Sequence, residues 1–180
     1  MHENLPTPDQ LNFAMLILRL VIGPIFAFHG FAKITRGGKL EGTAGWFESM
    51  GMRPGHVHAR LSAFGELATG VCITLGFLTT FAGMGVVGLM AVAFWTVHRG
   101  QGLLITANGW EYVAVLGTIG AVLATIGAGD WSLDNAIGID LNGPAGFIIA
   151  VAGGIGLAAV LLAFVYHPPT RAAAEADTTF

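Results

Sequence analysis

The sequence carries little charge and only one cysteine. Of its 180 residues, 11% are charged and 54% are hydrophobic, whereas soluble domains contain about 25% charged residues. The net charge is −3 and no basic stripe is present, which excludes the electrostatic surface that nucleic-acid binding requires. Cys72 stands alone, which excludes an internal disulfide, a c-type haem motif and a thiolate metal cage. The composition therefore predicts a protein that lies in the lipid bilayer and binds no nucleic acid.

Long apolar runs make up most of the chain. Five of them match the roughly 17–24 residues that a helix needs to cross a ~30 Å hydrocarbon core. Helices are expected because the strands of a membrane barrel would alternate polar and apolar side chains. We expect an all-α polytopic membrane bundle, with a four-helix core in residues 11–134 and an additional helix in residues 145–166. The predicted spans are Leu11 to Ile34, Leu61 to Leu78, Phe81 to Val97, Tyr112 to Ala128, and Ala145 to Tyr166.

Basic and acidic residues separate between the two ends of these predicted spans. With five spans, the positive-inside rule places residues 1–10 outside and residues 167–180 in the cytoplasm, as a tail expected to be disordered. No basic residue or small-x-small cleavage site precedes the first run, which favours a retained span in the inner membrane over a signal peptide. The basic residues on the predicted cytoplasmic side are Lys33, Arg36, Lys39, Arg53, Arg60, Arg99 and Arg171, and the aspartates on the other side are Asp9, Asp130, Asp134 and Asp140.

The loop after the first span is too long to be a simple turn. Within it Trp46, Phe47 and Met50 share one face of a short helix that we expect to start near Thr43. An aromatic-rich helix beside lysines favours a position in the cytoplasmic membrane interface. The same helix could instead fold back and cap the bundle.

The last span contains small residues at every fourth position. Gly146, Ala150, Gly154 and Ala158 form a ridge that allows close approach of another helix backbone. Two interpretations remain open. The ridge either packs within the bundle, or it binds another membrane protein subunit, since this helix has no ionisable residue between its ends.

Glu66 is the most informative single residue because it lies inside an apolar run. A carboxylate in hydrocarbon costs several kcal/mol, so it marks a functional site whose partner must be found. The helical rise places His29, Lys33, His98 and Glu111 at a similar depth near the cytoplasmic surface. We therefore expect a layer of acid and base side chains at that end of the bundle.

Arg19 is expected to stand apart from this layer. It lies roughly 12 Å below the outer surface by the helical rise, too far to pair with Glu66. Its expected partners are carbonyl groups at a helix end or the loop from Asp130 to Asp134.

The predicted layer has the groups that quinone chemistry requires. A histidine beside a carboxylate in a low-dielectric environment exchanges protons near neutral pH. We predict that Glu66 and His29 handle protons. A haem b clasped by two histidines is not expected, because motifs typical of a buried porphyrin are absent. The alternative is that these groups form only structural ion pairs, with Lys33 reaching to the interface. The residues predicted to orient a carbonyl or anionic headgroup or to close the site are Lys33, His98, Glu111 and Tyr112.

Several segments, in their order and spacing, resemble the DoxX family of small membrane proteins from Leu16 to Asp134. The matching pieces are RLVIGPIFAFHGFAK, GTAGWFESMGM, GELATGV, LGFLTTFA, NGWEY and DWSLD. Carried over residue by residue, the family pattern falls on Arg19, His29, Gly30, Lys33, Glu66, Gly70, His98, Asn108, Glu111 and Tyr112. The resemblance thus adds Asn108 and Arg19 to the residues expected to bind a substrate or quinone.

The resemblance implies a four-helix core and a function in redox chemistry. Relatives are associated with thiosulfate:quinone oxidation or with membrane-anchored oxidoreductase assemblies. This chain departs from the pattern in its fifth helix and in DWSLD, where Asp130 takes the position of the basic residue that often precedes W/Y-S-L-D. We expect a membrane subunit of an oxidoreductase system, linked to a quinone or a sulfur compound. The alternative is a non-enzymatic assembly or anchoring subunit of a larger complex. No resident redox centre is evident, so electrons would need a bound quinone or another subunit.

Overall fold

A computed structural model describes residues 5–168 of the chain. The α-helices are α1 Pro8–Thr35, α2 Lys39–Ser49, α3 Gly55–Leu75, α4 Thr79–Ala93, α5 Glu111–Ile126, α6 Leu133–Ile137, α7 Gly143–Ile148 and α8 Gly154–Val165. Two π-helical turns continue these helices, at Phe94–His98 after α4 and at Ile149–Gly153 between α7 and α8. A 3-10 turn, Ile105–Ala107, lies in the loop before α5.

Three helical segments are long and apolar enough to cross a bilayer, and α5 is a shorter apolar helix. α3 has 21 residues, but Arg60 and Glu66 interrupt its apolar sequence. The expectation of an all-helical membrane protein is confirmed over the described residues, while the count of five crossings stays a prediction. The three segments are Pro8–Thr35, Thr79–His98 and Gly143–Val165.

The helix bounds differ from the predicted spans where local capping decides them. α1 begins at Pro8 rather than Leu11, because Thr7 and Gln10 form a capping box that satisfies free backbone amides. The predicted tail of residues 1–10 is shortened accordingly. Of the predicted C-terminal tail, residues 169–180 lie outside the described part of the chain.

α1 and α3 pack with their backbones close together. A Cβ added at Gly30 would collide with the carbonyl of Ala63 and the backbone of Leu67, and one at Gly70 would collide with the backbone of Ala27. Glycine permits this approach because it has no side chain between the two helices. The contact fixes the end of α1 against the middle of α3, where the candidate site lies.

Hydrogen bonds define two ends of the bundle. At one end, the start of α1 joins the loop before α6, where Asn12 Nδ2 donates to Asp130 Oδ2 at 2.8 Å. At the opposite end, the last turn of α8 joins the loop between α2 and α3, where Arg53 N donates to Val165 O at 3.2 Å. Most basic residues of the described chain belong to this second end, which also carries α2 and the loop before α5.

α2 folds back onto the bundle. It begins at Lys39 rather than near Thr43. Its Phe47 is buried and packs in a cluster with Met52 and Ala59, which partly buried residues of α8 cover. Trp46 remains half exposed. The helix therefore caps the second end, and its position in a membrane interface stays a prediction.

The small-residue ridge of the last helical segment packs inside the chain. Gly146, Ala150, Gly154 and Ala158 are all buried. A Cβ added at Gly146 would collide with the backbone of α5, and one at Gly154 with the backbone of α4. Of the two interpretations left open for these four residues, the structure favours packing within the bundle over a surface for another subunit, because α4 and α5 already cover them. A partner subunit as such stays a prediction.

Candidate functional site

Glu66 forms an ion pair with Lys33 across the close contact of α1 and α3. Lys33 Nζ donates to Glu66 Oε2, and Ser62 Oγ donates to Glu66 Oε1 at 2.9 Å. The two charged side chains are 21% and 13% exposed, respectively. Both carboxylate oxygens therefore have partners, as a charge removed from water requires. The acid of α3 faces the bundle and not the lipid.

Two cavities lie on either side of this ion pair. The larger, of about 270 Å³, is lined mainly by residues of α2, α3, α4 and α8. The smaller, of about 100 Å³, lies among α1, α3, α4 and α5. Lys33, Glu66 and Met90 line both of them. The ion pair and one methionine thus form the partition between the two spaces.

The larger cavity combines apolar walls with a few polar groups. Trp46 and Phe47 supply aromatic surface from α2. Ser62, Glu66 and the nearly buried His58 supply polar atoms from α3. A mostly apolar pocket with a few convergent polar groups is typical of a small-molecule site. This cavity suits a flat, largely apolar ligand that bears a hydrogen-bonding group.

The smaller cavity brings His29 and Tyr112 to the ion pair. Both side chains line it together with Lys33 and Glu66. Within residues 5–168, the exposed side chain of His29 makes no hydrogen bond to the protein. His29 and Glu66 thus line the same space, and the proton-handling role predicted for them stays a prediction.

The structure does not bring His98, Asn108 and Glu111 to the ion pair. His98 Nδ1 lies 2.6 Å from the carbonyl oxygen of Asn108. Glu111 Oε1 accepts a hydrogen bond of 2.7 Å from Ile105 N. These three residues instead order the loop between α4 and α5, since the π-helical turn carries the His98 ring toward that loop. None of the three lines either of the two cavities described above.

Arg19 lies at the opposite end of α1 from Lys33. It is 1% exposed, and its Nη2 donates to Trp131 O at 2.5 Å. The predicted partner, the loop from Asp130 to Asp134, is confirmed. Fourteen residues of helix, roughly 21 Å, separate Arg19 from Lys33 along α1. The structure therefore does not place Arg19 at the site to which the family pattern assigned it.

Two residues of the site were not among the sequence-based candidates. Ser62 donates to the Glu66 carboxylate, and His58 lines the larger cavity. Both lie on the Glu66 face of α3, because residues four apart in a helix share a face. The four-residue spacing of positions 58, 62 and 66 in the sequence would have predicted that these side chains lie beside Glu66.

Comparison with protein families bears on the segment that holds the ion pair. The model of the DoxX family matches residues 14–99. This match supports DoxX family membership. No curated protein and no solved structure matches the chain. The family match includes α1, α3 and α4, and it ends before α5 and the last helical segment. Together with the apolar helices, it indicates an integral membrane protein of a family loosely associated with oxidoreductase function.

Proposed function

We propose that this DoxX protein is a membrane subunit of an oxidoreductase system and that it binds a quinone as substrate in the larger cavity. The observation that carries the proposal is the position of the Lys33–Glu66 pair. The pair lies between an aromatic, largely apolar cavity and a second cavity that His29 lines. A proton-handling carboxylate is thus in contact with both spaces.

The residues of the larger cavity fit a quinone headgroup. A quinone is a planar ring with carbonyl oxygens that accept hydrogen bonds. Trp46 and Phe47 offer surfaces for the ring, since aromatic rings pack in offset or edge-to-face arrangements. The Lys33 ammonium has three N–H donors, of which Glu66 accepts one, so the others can hold a carbonyl oxygen.

The protonation of the ligand defines the roles of the charged groups. Quinone reduction to quinol takes up two electrons and two protons. The electrons come from another subunit or from a reduced sulfur compound of the system. The Glu66 carboxylate takes up each proton from His29 through the smaller cavity and passes it to the reduced ligand, which returns Glu66 to its ionised form. Lys33 holds the carboxylate in place between transfers.

Replacement of Glu66 by glutamine tests this proposal. Glutamine keeps the size of the side chain but cannot donate a proton as an acid, so we expect quinone-dependent turnover to fall by roughly 10²-fold or more. Turnover is measured in the purified system reconstituted in lipid, with the melting temperature as the check on folding. Glu41→Gln, on the exposed face of α2, is the matched control and should leave turnover unchanged. Full turnover in Glu66→Gln would exclude the proton-handling role.

We further propose five crossings of the inner membrane, with the amino terminus outside and the carboxy terminus in the cytoplasm. The gathering of basic residues at the second end supports this orientation. In a Cys72→Ala background, Asp140→Cys should react with a membrane-impermeant maleimide added to intact cells. Glu41→Cys should react only after the cells are opened. The reverse labelling pattern would contradict the orientation.

A further inference from the structure

The last helical segment forms one wall of the larger cavity. Leu157, Ala158 and Leu161 of α8 line it, opposite residues of α2 and α3. This helix lies outside the segment that matches the DoxX model, which ends at residue 99. The cavity is therefore incomplete without a part of the chain that the family match does not include.

Backbone contacts hold this wall in place at its far end. His167 N donates to Gly51 O at 2.7 Å, and Arg53 N donates to Val165 O at 3.2 Å. Gly51 has φ +90°, and a Cβ there would collide with the His167 carbonyl. This conformation and this approach both favour glycine. The loop after α2 is thereby joined to the end of α8.

Close helix packing holds the same wall along its length. Ala158 is 4% exposed, and a Cβ added at Gly154 would collide with the backbone of α4. Leu161 packs against the cluster of Phe47 and Met52. Because the α8 backbone cannot shift against α4, the space left for a ligand depends on the side chains that α8 directs into the cavity.

We infer that Leu161 determines the size of the ring system that the cavity accepts, so that α8 is the specificity-determining wall of the site. The inference rests on the proposed function, because it takes the ligand to be a quinone. In a cavity of about 270 Å³, a change of a few carbon atoms in one wall alters the fit of a second ring. A methylene-sized difference in an apolar pocket changes discrimination by roughly 10–200-fold.

The test compares a one-ring and a two-ring probe. The probes are 2,3-dimethoxy-5-methyl-1,4-benzoquinone and 2-methyl-1,4-naphthoquinone, and the protein is the full chain in lipid nanodiscs. Binding is followed by quenching of Trp46, which lines the cavity, after the other three tryptophans are replaced by phenylalanine. The quantity compared is the ratio of the two dissociation constants. The replacements are Trp95→Phe, Trp110→Phe and Trp131→Phe.

Leu161→Ala should shift this ratio toward the two-ring probe by about tenfold, and Leu161→Phe should shift it toward the one-ring probe by a similar factor. Val160→Ala and Val160→Phe change the neighbouring, half-exposed position of the same helix and should leave the ratio unchanged. If Leu161→Phe does not fold, Leu161→Ala decides the question alone. An unchanged ratio in folded Leu161→Ala, with both probes bound, overturns this inference and leaves the proposed function intact. Failure of both probes to bind the parent protein overturns the two together.

Discussion

Replacement of Asp134 by alanine is expected to lower the free energy of unfolding by about 3 kcal/mol. Asp134 is 7% exposed. Its Oδ1 accepts from Leu78 N at 2.7 Å and its Oδ2 from Thr79 N at 2.9 Å. Alanine would leave these two amides at the start of α4 without partners. Hydrogen bonds to a charged group contribute about 1.5–3 kcal/mol each, and an unsatisfied buried group costs its full desolvation.

The loss should extend beyond the end of α4. Asp134 N also donates to Gly76 O at 2.8 Å, a backbone bond that alanine retains, so this bond alone would still join α6 to the α3–α4 turn. The buried Arg19 lies within reach of the Asp134 charge. Removal of this acid leaves the guanidinium without its nearby counter-charge, which adds to the destabilisation.

Unfolding in mixed detergent, followed by circular dichroism, measures this effect. Asp140→Ala is the matched control, because Asp140 makes no hydrogen bond within residues 5–168, and we expect a change below about 0.5 kcal/mol. The free energy of unfolding of Asp134→Asn should fall between those of the two alanine variants, since the amide keeps one acceptor oxygen and loses the charge. Equal stability of Asp134→Ala and Asp140→Ala would contradict the role of Asp134 in joining the helices.

Gly30→Val is expected to separate α1 from α3 and to abolish the Lys33–Glu66 pair. The added side chain would collide with the Ala63 carbonyl and the Leu67 backbone, and helix backbone atoms cannot move aside as a flexible side chain can. Overpacking costs about 1–3 kcal/mol where side chains yield, so a clash with backbone should exceed this range. Lys33 lies three residues further along the same face and would move away from Glu66.

The yield of monodisperse protein and the melting temperature in mild detergent measure the effect of this substitution. Gly65→Val is the control, because a Cβ added at Gly65 meets open space although the residue adjoins Glu66. We expect Gly65→Val to keep the parent yield and to lower the melting temperature by a few degrees at most. A normal yield and melting temperature for Gly30→Val would show that α1 and α3 do not need their close contact.

The pairing of Glu66 was predictable because burial of charge leaves few solutions. A carboxylate in an apolar helix must face the bundle and pair with a cation. The helical rise predicted that Lys33 lies at the same depth as Glu66. The same reasoning predicted that Arg19 would bind the loop from Asp130 to Asp134, which the structure confirms. The predicted depth in the membrane did not give the contacts of His98 correctly, because depth does not determine the direction in which a side chain points around the helix axis. The π-helical turn at the end of α4 places the His98 ring against Asn108 O instead.

The sequence by itself determined that the chain lies in a membrane, that it is helical, and that one buried acid must have a basic partner. These properties follow from local composition and from the cost of charge in hydrocarbon, which need no knowledge of distant contacts. Only the tertiary structure decided where the last helical segment packs. Its small-residue ridge suits any close helix, within the chain or outside it, since a ridge of glycine and alanine carries no information about its partner. The folded chain buries that ridge against α4 and α5, which makes α8 a wall of the cavity beside Lys33 and Glu66.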